Sequence, residues 1–331
     1  MITVNELFSG IGAFRKALIK LDIPHRIVGI SEIDKYAIKS YEAMFGATRN
    51  YGDISKVEKL DYADMWTYGF PCQDISIAGQ QAGMVKNETR SGLLYEVQRL
   101  LATAALYDEL PKYLVLENVK NLVGNKFRKD FESWLEWLAE LGYNNYWQVI
   151  NAKDCGIPQN RERVFVVSIR RDIDDGTFTM PKPLPLSKTL SDLLEIGFVD
   201  RDVSLCIVRR YFAFNGSQSF FRRRYFGKRF GQIVFEGDTS AKEQRDFYNK
   251  DPYKEFCCGG KIRRLTTREC FRLFGYDDSD HDKAAAVNAP TQLYSQAGNS
   301  IVVNVLMAIF KELFVPGKAR SEWLDELLGG G

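Results

Sequence analysis

Cys72 stands directly after Pro71 in Gly69-Phe70-Pro71-Cys72-Gln73, at the C-terminal end of an apolar run that reads as a strand. Open α/β sheets bind ligands at that end of their strands. A thiolate attacks electrophiles, but a free cysteine is only a few per cent ionised at neutral pH, so a reactive one needs cationic surroundings. Arg161 and Arg163, in Gln159-Asn160-Arg161-Glu162-Arg163, would supply them. A second strand-like run closes on Leu116-Glu117-Asn118-Val119, which brings a carboxyl group to the same sheet edge as Cys72. A nucleophile, an acid and guanidinium groups at neighbouring strand ends make a plausible reaction centre. Taken singly, each residue also has a plain structural reading: a core cysteine, a surface glutamate, a solvated arginine.

A second cluster points to a nucleoside ligand. In Asn5-Glu6-Leu7-Phe8-Ser9-Gly10-Ile11-Gly12 a strand runs into a glycine turn that opens a helix. Gly10 and Gly12 let a ligand approach the backbone, and the helix start offers N–H donors. Glu32 ends the next strand, where an acid receives ribose hydroxyls. Asp53 and Ile54 follow the next helical unit, and Asp53 would suit an adenine amino group. The third glycine of a dinucleotide fingerprint is missing, with Ala13 or Phe14 in its place. Plain turn glycines remain the alternative.

These residues need a scaffold, and the first half of the chain predicts one. Ile2–Phe8, Arg26–Ser31, Asp64–Gly69, Tyr113–Glu117, Tyr146–Asn151 and Val164–Ile169 read as strands. Phe14–Leu21, Asp34–Phe45, Leu93–Tyr107 and Arg128–Leu141 have helical spacing of apolar residues between them. Such alternation predicts an α/β fold, a Rossmann-like parallel sheet with helices on both faces. Prolines 181, 183 and 185 in MPKPLP mark a linker to a smaller, mainly β or irregular part. Helical patterning returns at Thr267–Phe274, and Ile301–Phe314 is an apolar final helix expected to pack back on the first domain.

Composition narrows the field. The 331 residues are 45% hydrophobic and 27% charged, with net charge +2. No run reaches the roughly 18 apolar residues of a membrane span. No basic, then apolar, leader opens the chain, so it is expected in the cytoplasm, without a membrane. Six scattered cysteines and two histidines lack zinc spacing, and no metal is expected. Charge is uneven: from Arg201 to Phe230, Arg209, Arg210, Arg222, Arg223, Arg224, Lys228 and Arg229 are interleaved with aromatic residues. Basic density of that kind is the footprint of a polyanion, most simply nucleic acid. A solvated charged face over a small aromatic core is the competing explanation.

The ordered set FSGIG, EID, GDI, GFPCQ, RSGLL, ENV, QNRERV, RRLTTREC and QAGNS resembles the motif series of the DNA cytosine-5 methyltransferases, above all the compact bacterial enzymes of restriction-modification systems. The likeness covers about residues 1–170 and 263–305, in family order. It implies a catalytic, cofactor-binding domain of residues 1–182 and 295–331, a target-recognition domain of 183–262 and a hinge of 263–294. It implies catalysis by Cys72, Glu117, Arg161 and Arg163. Cys72 would add to C6 of cytosine, Glu117 would bond N3 and the amino group, and Arg161 would hold O2 with Arg163 in support. S-adenosyl-L-methionine, leaving as S-adenosyl-L-homocysteine, would lie against Phe8, Gly10, Ile11, Gly12, Glu32, Asp53, Ile54, Pro71, Leu94, Asn299 and Ile301. The base must leave the duplex to be reached, and Gln73–Gly92 resembles the loop that closes over it.

The implied partner is double-stranded DNA, contacted by a monomer, with a cognate restriction endonuclease in the same system but no stable complex with it. Residues 184–262 depart from the family pattern: the Thr-Leu pair expected late in the segment is not clearly present, with Thr239-Ser240 near its place. Three alternatives stay open. An RNA (tRNA) cytosine-5 methyltransferase shares the scaffold, although a full variable segment favours DNA. A nicotinamide-dependent oxidoreductase would explain Glu32 and leave GFPCQ, ENV and QAGNS unexplained. An inactive DNA-binding module would not need Cys72, Glu117 and Arg161.

Overall fold

The structure, a computed structural model, describes residues 1–70, 93–213, 216–227, 231–237, 240–250 and 261–315. Pro71, Cys72, the loop to Gly92, Lys228, Arg229 and Thr239 lie outside them. The chain divides into two compact units, one of residues 1–150, 162–182 and 305–317 and one of 151–161, 183–304 and 318–331. Residues 151–161 and 295–304, which the sequence reading groups with the first domain, fall by compactness in the second unit.

The first unit is a six-stranded sheet. β1 (Ile2–Leu7), β2 (His25–Ser31), β3 (Met65–Tyr68), β4 (Tyr113–Val119), β5 (Tyr143–Asn151) and β6 (Glu162–Arg170) stand in the order β2-β1-β3-β4-β6-β5. The pairs β1–β2, β1–β3 and β3–β4 are parallel, and β4–β6 is antiparallel. All four residues of β3 are buried, as a strand covered on both faces requires. Helices α1 (Ala13–Lys20), α2 (Lys35–Phe45), α3 (Leu94–Leu106) and α4 (Arg128–Glu140) flank the sheet. Asp34 caps α2 by accepting from Tyr36 N. On one face Leu7, Trp66, Leu114 and Leu116 pack with Val97 and Leu101 of α3 and Phe131, Trp134 and Leu138 of α4. Each such side chain stabilises by about 1.5–3 kcal/mol when fully buried.

The second unit joins short elements. β7 (Ile233–Glu236) and β8 (Lys261–Arg264) pair antiparallel. With them come α5 (Gln218–Arg222), α6 (Ala241–Lys250), α7 (Thr267–Arg272), α8 (Asp278–Val287) and α9 (Pro290–Asn299). Fully buried Glu269 organises this unit. Its two oxygens accept from the Arg263 guanidinium at 2.8 Å each, and it also takes the backbone N–H groups of Glu195 and Thr266. A buried carboxylate is tolerated because every lone pair it exposes is used.

The final helix α10 is Val303–Phe314, and in the first unit its Phe310 and Phe314 rings lie against Phe14 and Tyr113. The apolar stretch Pro290–Phe314 is long enough to cross a membrane, yet 67% of its most apolar window is buried in the protein. That is how a core helix looks.

Candidate active site

Glu117 lies near the C-terminal end of β4, and Arg163 is the second residue of β6. Because β6 runs antiparallel, Val119 sits opposite Arg163 and Glu117 opposite Phe165. Glu117 and Arg163 are therefore diagonal neighbours on one face, within reach of long side chains. The structure brings them together: Arg163 Nε is 3.2 Å from Glu117 Oε1, with side chains 18% and 12% exposed. Arg163 also donates to the Glu162 carbonyl, while exposed Lys120 pairs with both oxygens of Glu162 at 2.9 and 3.0 Å.

Asn118, between Glu117 and Val119, is a residue the sequence reading passed over. It is 1% exposed, and its Nδ2 donates to the Phe70 carbonyl at 3.1 Å. Phe70 is the last described residue before Pro71 and Cys72. The ENV motif thus fastens the strand end from which the GFPCQ segment leaves. The signal was present in the motif, but a strand-end asparagine has too many ordinary roles to be read from type alone.

Arg161 has a different setting, within the second unit. It is 5% exposed. Its guanidinium donates to the carbonyls of Ile207 at 3.0 Å and Ser300 at 2.9 Å, reaches Gly298 O at 3.4 Å, and lies over the Phe274 ring. QNRERV and QAGNS therefore meet at Arg161 as architecture. Gly298 belongs to the same junction, since a Cβ there would come within 2.3 Å of the Val208 carbonyl carbon. Gln296–Asn299 form the last turn of α9, and α10 starts at Val303. In this unit Asn299 is exposed and Ile301 half-buried.

At the other strand ends the nucleoside cluster takes shape. Phe8, Gly10 and Gly12 all have left-handed backbones, with φ of 56°, 55° and 79°. The two glycines differ. A Cβ on Gly10 would meet nothing within 4 Å, whereas one on Gly12 would strike the Phe45 and Tyr41 rings at 2.6 and 2.7 Å. Gly10 leaves space open; Gly12 lets α1 pack on α2. Glu32 folds back so that Oε2 accepts from Gly10 N at 2.9 Å and Oε1 from Ile33 N and Asp34 N at 2.8 Å. Oε2, with a single donor, keeps a further lone pair for a ligand hydroxyl. Asp53 Oδ1 accepts from Ser55 N and Oγ. Ile11, Ile54 and Leu94 are buried in the same unit. Ser9 Oγ is buried with no hydrogen-bond partner among the described residues. An orphan hydroxyl, open space over Gly10 and two strand-end acids fit a nucleoside-bearing cofactor.

Beneath this loop lies Glu6, wholly buried, another residue not singled out in advance. It accepts from Arg15 N at 2.9 Å and from the Tyr41 hydroxyl, which ties β1 to the first turn of α1 on either side of the glycine turn. Burial pushes its carboxyl up to about 7, against those hydrogen bonds.

The basic segment is divided. Arg209, Arg210 and Arg223 are exposed, and Arg224 lies over the Phe220 ring. Arg222 is 1% exposed, which corrects its expected place at a DNA-facing surface. As the last residue of α5 it points inward with Phe221.

The fold is a mostly parallel sheet flanked by helices, with a carboxylate–guanidinium pair at its strand ends. The family model for C-5 cytosine-specific DNA methylases matches residues 2–315, and the chain belongs to that family of DNA cytosine methyltransferases. It is 36% identical to the Type II methyltransferase M2.ScrFI of Lactococcus lactis subsp. cremoris, over 95% of this chain and 99% of that protein. It is 32% identical to the Type II methyltransferase M.NlaX of Neisseria lactamica, over 97% and 99%. In fold it resembles the S. pombe Dnmt2 methyltransferase, with TM-score 0.68 and 21% identity, over 96% of this chain and all of that one.

Proposed function

We propose that the chain methylates C5 of one cytosine within a specific duplex DNA sequence, as the modifying enzyme of a restriction–modification pair, with Cys72 as nucleophile. The Glu117–Arg163 pair carries this reading, because it offers an acid and a guanidinium together beside the strand end that leads to Cys72. The Cys72 thiolate adds to C6 of the extruded cytosine, and the C5=C6 electron pair moves to C5. Glu117 hydrogen-bonds the cytosine at N3 and its amino group, which stabilises that density. Bound S-adenosylmethionine supplies the methyl group that C5 attacks. Loss of the C5 proton then expels Cys72 and restores the C5=C6 bond, so the thiol is regenerated.

The setting of Arg161 supports a revision of roles: Arg163 holds O2 of the base, and Arg161 holds the loops of the second unit. Glu32 takes the ribose hydroxyls, Asp53 the adenine amino group, Phe8 the adenine face, and Ser9 and Gly10 the space between. Residues 183–262 would read the target, with Arg209, Arg210 and Arg223 as phosphate contacts, which position without specifying sequence.

The test is methyl transfer from S-adenosylmethionine to duplex DNA and to tRNA, followed by base-resolution detection of 5-methylcytosine. Methylcytosine at one recurring duplex sequence is expected. Methylation confined to tRNA, or at a position other than C5, would overturn the reading.

A further inference from the structure

The outer edge of the first unit carries a basic cavity lined by none of the candidate active-site residues. Its volume is about 310 Å³, and Arg15, His25, Arg26, Ile27, Thr48 and Arg49 line it. β2 is an edge strand, so side chains from its first half border this space directly. No carboxylate lines the cavity.

Its cations are held in place. The Arg15 guanidinium reaches the neutral oxygens of Thr48 Oγ1 and Phe45 O at 3.2 Å and packs on the Tyr41 and Phe45 rings. Glu6 lies behind Tyr41, and burial keeps it partly protonated near neutrality, so it cancels the Arg15 charge only in part. Arg49 lies over the Tyr51 ring and pairs with Asp61. His25 Nδ1 donates to the Ile23 carbonyl at 2.7 Å, which fixes the ring. The exposed Arg26 side chain makes no ion pair or hydrogen bond with the described residues. Positive groups ordered before binding lose little entropy when an anion arrives.

A planar carboxylate presents one edge to one guanidinium, whereas a tetrahedral phosphate presents oxygens in several directions and carries more charge. We propose that this cavity is a phosphate-binding site, filled either by a phosphodiester of the DNA backbone or by a small free phosphate. Arg26 closes it from the solvent side, and Arg15 and Arg49 form its fixed wall.

Two measurements test the site and tell the sources apart. In the first, thermal unfolding of the whole protein is followed in inorganic phosphate and in chloride at equal ionic strength and pH. A free-phosphate site raises the wild-type midpoint by about 2–4 °C, increasing with the logarithm of phosphate concentration above the dissociation constant, and Arg26→Ala removes the rise. In the second, DNA affinity is measured against salt concentration. A backbone phosphate in the cavity makes the log–log slope of Arg26→Ala shallower by about one unit. An inorganic-phosphate response equal to that in chloride, together with an unchanged salt slope, would overturn the proposal. Loss of methyl transfer in wild type would touch only the catalytic reading.

Discussion

Arg161 and Arg163 are separated by one residue, yet they live in different worlds. Arg163 is the second residue of a strand, with its side chain 18% exposed, against the Glu117 carboxylate. Arg161 is buried, spends its donors on backbone carbonyls and stacks on Phe274. Two identical side chains in one motif thus differ in setting: one pairs with a carboxylate, the other holds backbone carbonyls of a separate unit. A motif marks where function lies without saying which residue touches substrate.

The contrast is sharpest in substitution. Arg163→Ala is expected to lower kcat by about 10²–10³-fold, the cost of losing an electrostatic contact to the reacting group, with an unfolding midpoint near wild type. Arg161→Ala is expected to act through stability, by about 3 kcal/mol, because buried carbonyls lose their donor. Urea unfolding beside single-turnover kinetics separates the two. A folded, fully stable Arg161→Ala protein without activity would reverse the assignment.

Glu6 offers an effect of similar size with a pH signature. Its folded carboxyl titrates near 7 against an ordinary 4.5, so the folded state holds a proton that the unfolded chain has already lost. The stability tied to that proton is full below about pH 4.5 and is lost as pH rises through 7. The loss is on the order of 3 kcal/mol. Glu6→Gln should flatten stability between pH 5 and 8; an unchanged slope in that window would contradict the burial account.

Smaller effects follow. Asn118→Ala removes the donor to Phe70 O and is expected to lower kcat about 10-fold, with the KM for DNA little changed, as a loosened loop anchor would. In the basic segment, Arg223→Ala should make the salt slope of DNA binding shallower by about one unit. Arg222→Ala should instead lower the unfolding midpoint, as its burial requires.

Much of the sheet was legible because β1, β3 and β4 are apolar runs bounded by glycine, acid or proline, and the helices between them keep a helical period. The direction of β6 was not. Alternation of apolar residues is the same in parallel and antiparallel strands, and only the antiparallel pairing sets Arg163 diagonal to Glu117. α8 escaped notice because DSDHDKAAAV has no apolar face to betray it; its signal is the Asp277–Asp280 capping box. In the recognition segment, charge alone could not say that Arg222 turns inward, since a basic residue closing a five-residue helix reads the same on either face.

The central claim is a covalent bond between the Cys72 sulfur and C6 of cytosine, and a duplex carrying 5-fluorocytosine at the target tests it most directly. Fluorine at C5 cannot leave as a proton does, so the wild-type enzyme with S-adenosylmethionine should stay attached to the DNA through denaturing electrophoresis. Cys72→Ala should bind the same duplex and form no such band. A stable complex with Cys72→Ala, or continued methylation by it, would contradict the account.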